Sequence, residues 1–293
     1  MDKKVYLKTY GLLYLIVAFF ALAAVGTVSR IFEINLFIAI PAALVVSIPV
    51  TFIVLKILLN KEKKNPYGKL HSEFTHELVN NGYTEKFFEL SDKALAAHKN
   101  GETFSKVYLS DFVLYTADYY NLTGQYDKAL ELVAVLNERD FMIKEATFID
   151  NGLYSLMYIG CLIESYRGLD DKAKAVDLIE RARPILDMDF KHDTLAMASD
   201  VTYYNYYMII GNYAKASEYV NKLKTYHSAE ADKYFLKYFV EADYDMYLGR
   251  KDEALEALRK MESIPGRTDK PVYSFICQKY REHLGLAEEM AST

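Results

Sequence analysis

Metal and proton chemistry has few side chains to draw on in this chain, which holds six histidines and two cysteines in 293 residues. Glu73 and His76 stand three apart, the spacing of one half of a Glu-x-x-His di-iron motif, where both side chains leave one face of a helix. That motif needs a second copy, and no other histidine supplies one. His71, His76 and Glu77 do not form the HExxH pattern of a zinc protease. His192 and Asp193 adjoin in a stretch that reads as a loop between helices. Exposed helix faces and loops account for all of these polar residues. Cys161 and Cys277 belong to no CxxC or Cys/His cluster, so no metal site is expected. Two buried thiols in a reducing compartment suffice.

Phosphate and acyl chemistry leave no trace either. The chain has no GxxxxGK[ST], GxGxxG or GxSxG segment. Asn121 and Thr123 match a glycosylation acceptor, which is idle in a cytoplasmic domain. Residues 65–293 carry 27 Lys/Arg against 37 Asp/Glu, a balance of −10. Such a domain repels a phosphate backbone, and nucleic-acid binding is not expected. Neither an enzyme nor a cofactor is implied. What the elements must position is a binding surface.

The first of those elements are apolar. Residues 10–28 (YGLLYLIVAFFALAAVGTV) contain no charge, and as a helix they would reach about 28 Å, near the hydrocarbon thickness of a bilayer. Residues 36–59 (LFIAIPAALVVSIPVTFIVLKILL) carry only Lys56, close enough to the end to snorkel. The connection SRIFEIN allows only a tight turn, so 1–60 is expected to be a two-helix transmembrane hairpin. Lys3, Lys4 and Lys8 precede it; Lys61, Lys63, Lys64 and Lys69 follow it; the turn offers Arg30 alone. By the positive-inside rule both termini are cytoplasmic. A cleaved signal peptide ending near Ala23 is the alternative, and it leaves the following domain on the same side. Ala39, Ala43 and Ser47 recur every four residues, a row that lets helices approach closely. The Lys-, Tyr- and Ile-rich composition points to a bacterial cell membrane.

Beyond a basic linker at 61–68, residues 69–293 repeat themselves. Five turns align on Gly82, Gly124, Gly168, Gly211 and Gly249, spaced 42, 44, 43 and 38 residues apart. Five residues after each come Phe87, Ala129, Ala173, Ala216 and Ala254; seven before come Thr75, Ala117, Cys161, Tyr204 and Ala242. Glycine ends a helix in the left-handed conformation, and small residues let the helices on either side of the turn cross closely. The unit is a helical hairpin. Residues 271–290 read as one final helix whose Gln278, Lys279, Arg281 and Glu282 would give a polar outer face.

The segments GQYDKALELV (124–133), GNYAKASEYV (211–220) and GRKDEALEAL (249–258) resemble the tetratricopeptide-repeat family. The period here exceeds the family's usual 34 residues, and Phe87 departs from its small residue. The resemblance implies an all-α chain: a two-helix transmembrane hairpin, then a tetratricopeptide-like α-solenoid of about five hairpins, then a C-terminal capping helix. In that family the first helix of each hairpin lines a concave groove. Counting back from the turn glycines by the family's offsets selects Asp111, Asp118 and Asn121 in the second unit. It selects Ser155, Tyr158, Ser165 and Tyr166 in the third, Asn205 in the fourth, and Asp243 and Tyr247 in the fifth. The basic clamp by which some relatives hold a C-terminal carboxylate is missing; the surface is tyrosine-bearing and mildly acidic, suited to a basic or aromatic peptide. The expected function is a membrane-tethered adaptor that binds a protein or peptide partner. The alternative is a peptide-responsive sensor that signals through the hairpin.

Overall fold

The computed structural model describes residues 66–142, 152–229, 233–267 and 269–286, with scattered positions between 14 and 56. It divides into two compact units, Met1–Lys69 and Leu70–Thr293.

The first expected membrane span, and most of the linker at 61–68, fall largely outside the described residues, and the second span is described in part. Among the described residues no helix is long and apolar enough to cross a membrane. Those described in the first unit are helical. The Tyr14 hydroxyl donates to the Leu44 carbonyl at 3.5 Å, so the two apolar segments meet side by side there. Of the small-residue row only Ser47 is described. It is buried, as is Thr51, and each hydroxyl turns back onto a carbonyl of its own helix, Leu44 and Ser47. Val45, Phe52 and Ile53 face outward.

The second unit is all-helical, with no strand among its described residues. Its helices are α1 (Pro66–Asn81), α2 (Glu85–Lys99), α3 (Lys106–Leu122), α4 (Tyr126–Val133), a short α5 (Arg139–Met142), α6 (Leu153–Gly168) and α7 (Lys172–Leu186). Then come α8 (Asp193–Ile209), α9 (Tyr213–Lys224), α10 (Phe235–Tyr247), α11 (Lys251–Glu262) and α12 (Pro271–His283). The pairs α3–α4, α6–α7, α8–α9 and α10–α11 pack as hairpins, and α3, α6, α8 and α10 pack on one another in a row.

Four turns share one geometry. Gly124, Gly211 and Gly249 take φ of 72°, 74° and 73°. The next residue donates its backbone N–H to a carbonyl five back, Gln125 to Tyr120, Asn212 to Tyr207 and Arg250 to Asp245. This Schellman closure satisfies carbonyls that a helix end otherwise leaves open. In the third unit the left-handed residue is Asp170, at φ 51°, and Asp171 donates to Tyr166. Gly168 is still within α6. Aspartate tolerates this backbone because its short polar side chain hydrogen-bonds locally. The third turn therefore sits two residues later than glycine spacing places it. The buried small residue that follows is Ala175, while Ala173 is exposed. With that shift Ala129, Ala175, Ala216 and Ala254 all lie at the hairpin crossings with no exposed surface.

The last helix also departs from expectation. It stops at His283, and Gly285 at φ 68° closes it with the N–H of Leu286 on the Arg281 carbonyl. The remaining residues to 290 lie outside those described. Gln278 and Glu282 are exposed and hydrogen-bonded to each other, as an outer polar face requires, but the other sides of α12 are buried. Tyr273 and Cys277 are buried in one apolar cluster with Leu258 and Met261 of α11. On another side, Phe275 sits between Tyr83 and Tyr119, at ring separations of 5.1 and 5.6 Å, and Tyr280 stacks on Phe239 at 3.8 Å. Arg281 is buried in a two-pronged pair with Glu262. The helix thus reaches from the α1–α2 turn and α3 to α10 and α11, because it carries apolar side chains on more than one face and each finds a partner.

Candidate functional site

The side chains of the α3–α6–α8–α10 row follow from the turn register. Six residues before each left-handed position stand Asp118, Glu164, Asn205 and Asp243; three before stand Asn121, Arg167, Met208 and Met246. Helical spacing of three puts both columns on one face. Asp118, Asn121, Asn205 and Asp243, four of the residues expected to line the groove, fall in these two columns. Because it counted from Gly168, which puts Leu162 and Ser165 at these places in the register, the expectation missed Glu164 and Arg167. One signal could have found them. The other units run from the turn residue through five positions to an alanine, as in GQYDKA, GNYAKA and GRKDEA; DDKAKA (170–175) fits that frame, with Asp171 as the cap accepting the Lys174 N–H.

Arg167 joins three units. Its guanidinium donates to Asn205 Oδ1 and to Asp243 Oδ2, both at 2.7 Å, and the Tyr204 hydroxyl donates to the same Asp243 oxygen at 2.5 Å. Asn121 ties α3 to α6: its Nδ2 donates to the Cys161 carbonyl at 2.9 Å and its Oδ1 accepts from the Ser165 hydroxyl at 2.7 Å. Asp118 accepts from the Tyr83 hydroxyl at 3.1 Å. The other expected positions lie elsewhere. Asp111 is held by His71 Nε2 at 2.6 Å and the Tyr154 hydroxyl at 2.9 Å. Tyr158 stacks flat on Phe141 in the core, at 4.8 Å. Tyr166 lies half-buried beneath Lys174, and exposed Tyr247 stacks on Tyr213 at 4.2 Å.

Between this row and α12 lies a cavity of about 560 Å³, lined by Asn121, Glu164, Arg167 and Asn205 from the row, by Phe239, and by Tyr280 and His283 of α12. Its size and mixed apolar and polar walls are those of a ligand site. Among the described residues no group of three or more His, Cys, Asp or Glu side chains could hold a metal ion. Both cysteines are buried, and burial pushes their thiols up, away from the reactive thiolate.

The carboxyls are poised differently. Burial raises Glu164 to about 8, with repulsion from Asp118 adding to it and Arg167 offsetting part; burial raises Asp118 to about 6, partly offset by the Tyr83 hydroxyl. A raised carboxyl favours the folded state when protonated. Its stabilisation is complete below the unfolded value near 4 and is lost as pH rises through about 6 and then about 8. His283, lowered mainly by burial, acts in the opposite sense as pH falls through its folded value. Glu164→Gln should therefore abolish much of the loss of stability that wild type shows between pH 5.5 and 8.5. Unfolding midpoints across that range check this, and an unchanged slope would mean that Glu164 is well hydrated.

Neither a family model, nor a curated protein, nor a solved structure matches the chain.

Proposed function

We propose that the protein is a membrane-tethered adaptor. Its first unit inserts as a two-helix hairpin with both termini cytoplasmic. Its second unit is a tetratricopeptide-like α-solenoid that binds a protein or peptide partner along the row α3–α6–α8–α10. No catalytic step and no cofactor belong to this reading.

The observation that carries it is α12. A helix of this same chain lies along the row, anchored by Phe275 between Tyr83 and Tyr119 and by Tyr280 on Phe239. Helix-in-groove recognition relies on such spaced apolar anchors. The face that accepts α12 suits an external helix of the same chemistry, one bearing two aromatic anchors about a turn and a half apart. The membrane half draws support from the first unit, where Ser47 and Thr51 face inward while Val45, Phe52 and Ile53 face outward. That inversion of the soluble pattern favours lipid as surroundings.

Photo-crosslinking of the full-length chain in native membranes tests both halves. Probes at Met208 or Met246 in the row should capture a partner that probes at exposed Lys128 and Lys215 do not. Capture should rise several-fold in a Gly82→Ala background. Gly82 holds φ 80°, and a Cβ there would meet the Val272 backbone nitrogen at 3.2 Å, loosening α12 at its start. Capture confined to Lys128 and Lys215 would sink the groove, and a chain recovered outside the membrane fraction would sink the tether.

A further inference from the structure

Two carboxyls lie on neighbouring helices beneath α12. Asp118 on α3 and Glu164 on α6 both stand six residues before a left-handed turn, so they occupy adjacent rungs of one column on packed helices. Burial raises Glu164, and repulsion from Asp118 adds to it. α12 covers the pair. Burial first, and then the Glu164 and Asp118 carboxyls, push the Tyr280 hydroxyl well above its ordinary value. On the other flank Tyr83 donates to Asp118 at 3.1 Å, while its ring meets Phe275 of α12 at 5.1 Å.

The groups facing this pair supply little positive charge as pH rises. Arg167, on the same helix as Glu164, lowers it in part, but its guanidinium is divided between Asp243 and Asn205, both at 2.7 Å. Lys279 of α12 is engaged by Glu282 at 2.6 Å, and burial lowers His283, so its ring stays neutral. The others are neutral acids. Tyr115 on α3, Cys161 on α6 and Tyr234 at the N-cap of α10 are each raised, first by burial and then by nearby carboxyls. A carboxyl enclosed among such neighbours is held protonated, because its ionised form needs a cation or water.

We infer that Asp118 and Glu164 form a pH-sensitive latch, which keeps α12 seated on the row while one of them is protonated and releases it when both are ionised. The sign follows from the two states. Under α12, burial holds Asp118 at about 6 and Glu164 at about 8; with α12 lifted, both are hydrated and titrate near 4. The seat is therefore most stable below about 4, weakens as pH passes 6 and is weakest above 8. Near neutrality it stays closed. Release clears the row α3–α6–α8–α10 for another helix. That use of the cleared row rests on the adaptor reading, whereas the latch itself is measured without any partner.

The chain has no tryptophan, so Phe275→Trp in the purified full-length protein places a single indole in the seat of α12. Its emission should move to longer wavelength between pH 5.5 and 9, with a midpoint near 8. Asp118→Asn and Glu164→Gln, nearly isosteric and unable to ionise, should each cut that shift by roughly half, and together they should abolish it. Amide exchange in the chain without the tryptophan gives a second measurement. At pH 9 residues 271–283 should exchange about tenfold faster in wild type than in either single variant, while α8 and α9 exchange alike in all. Comparison at one pH cancels the base dependence of exchange. Equal exchange of α12 in wild type and both single variants would overturn the latch. So would loss of protection in α8 and α9 together with α12, which is unfolding of the whole unit. A latch that opens on a row that captures no partner would stand, and only the adaptor would fall.

Discussion

An Arg167→Ala variant is expected to unfold well below wild type, near the lower end of ~3–5 kcal/mol. The loss comes from what the arginine leaves behind. Asp243 keeps 8% of its side-chain surface in solvent, and with Arg167 gone its carboxylate retains only the Tyr204 hydroxyl. Asn205 loses its partner as well. The lower end of the range applies because the arginine side chain is itself 22% exposed at the cavity, so water can enter. Asp243→Asn placed on the alanine variant should recover part of the loss, since a neutral amide needs no counter-charge. A double-mutant cycle by chemical unfolding reads this coupling. An alanine variant within about 0.5 kcal/mol of wild type would mean that the network linking α6, α8 and α10 is ornamental.

Phe87→Ala is expected to cost ~3–5 kcal/mol, a fall in melting temperature of roughly 6–20 °C for a unit of this size. In the repeat alignment Phe87 looks like a flaw, a bulky side chain where the other units have alanine. The structure gives it a different job. It has no exposed surface, and its ring packs against Phe74 at 4.7 Å, Phe88 at 5.1 Å and Tyr83 at 5.2 Å. The first hairpin is held apart by a ring, whereas the later ones close on alanines. Differential scanning calorimetry of the single variant decides the matter. A melting point equal to or above wild type would restore the flaw.

These two residues mark where the sequence could and could not be followed. Gly82, Gly124, Gly211 and Gly249 announce their turns because few other residues accept a positive φ, so four of the turns were legible. Asp170 accepts it too, without advertising it, and the nearby Gly168 is a decoy inside its helix. One slip of two residues hid Glu164 and Arg167, the charged heart of the row. The seat of α12 was illegible for another reason. Its composition fits an end cap as well as a bridge, and only the rings waiting at Tyr83, Tyr119 and Phe239 decide between them. Local pattern carries a helix's existence; its destination depends on surfaces distant in sequence.

That bridge has a consequence for how the second unit comes apart. In an open array each hairpin touches only its neighbours, so the ends fray first and folding can start anywhere and spread. Here the turn at Gly82 and Tyr83, at the beginning of the array, touches Val272 and Phe275, at its end. The line becomes a loop with no free terminus to fray. Amide exchange in α1 and α11 should then be as slow as in the middle helices, and unfolding should be a single cooperative event. Folding should also be slower than helical content alone suggests, because the closing contact joins the most widely separated parts of the unit and its entropy is lost before its contacts form.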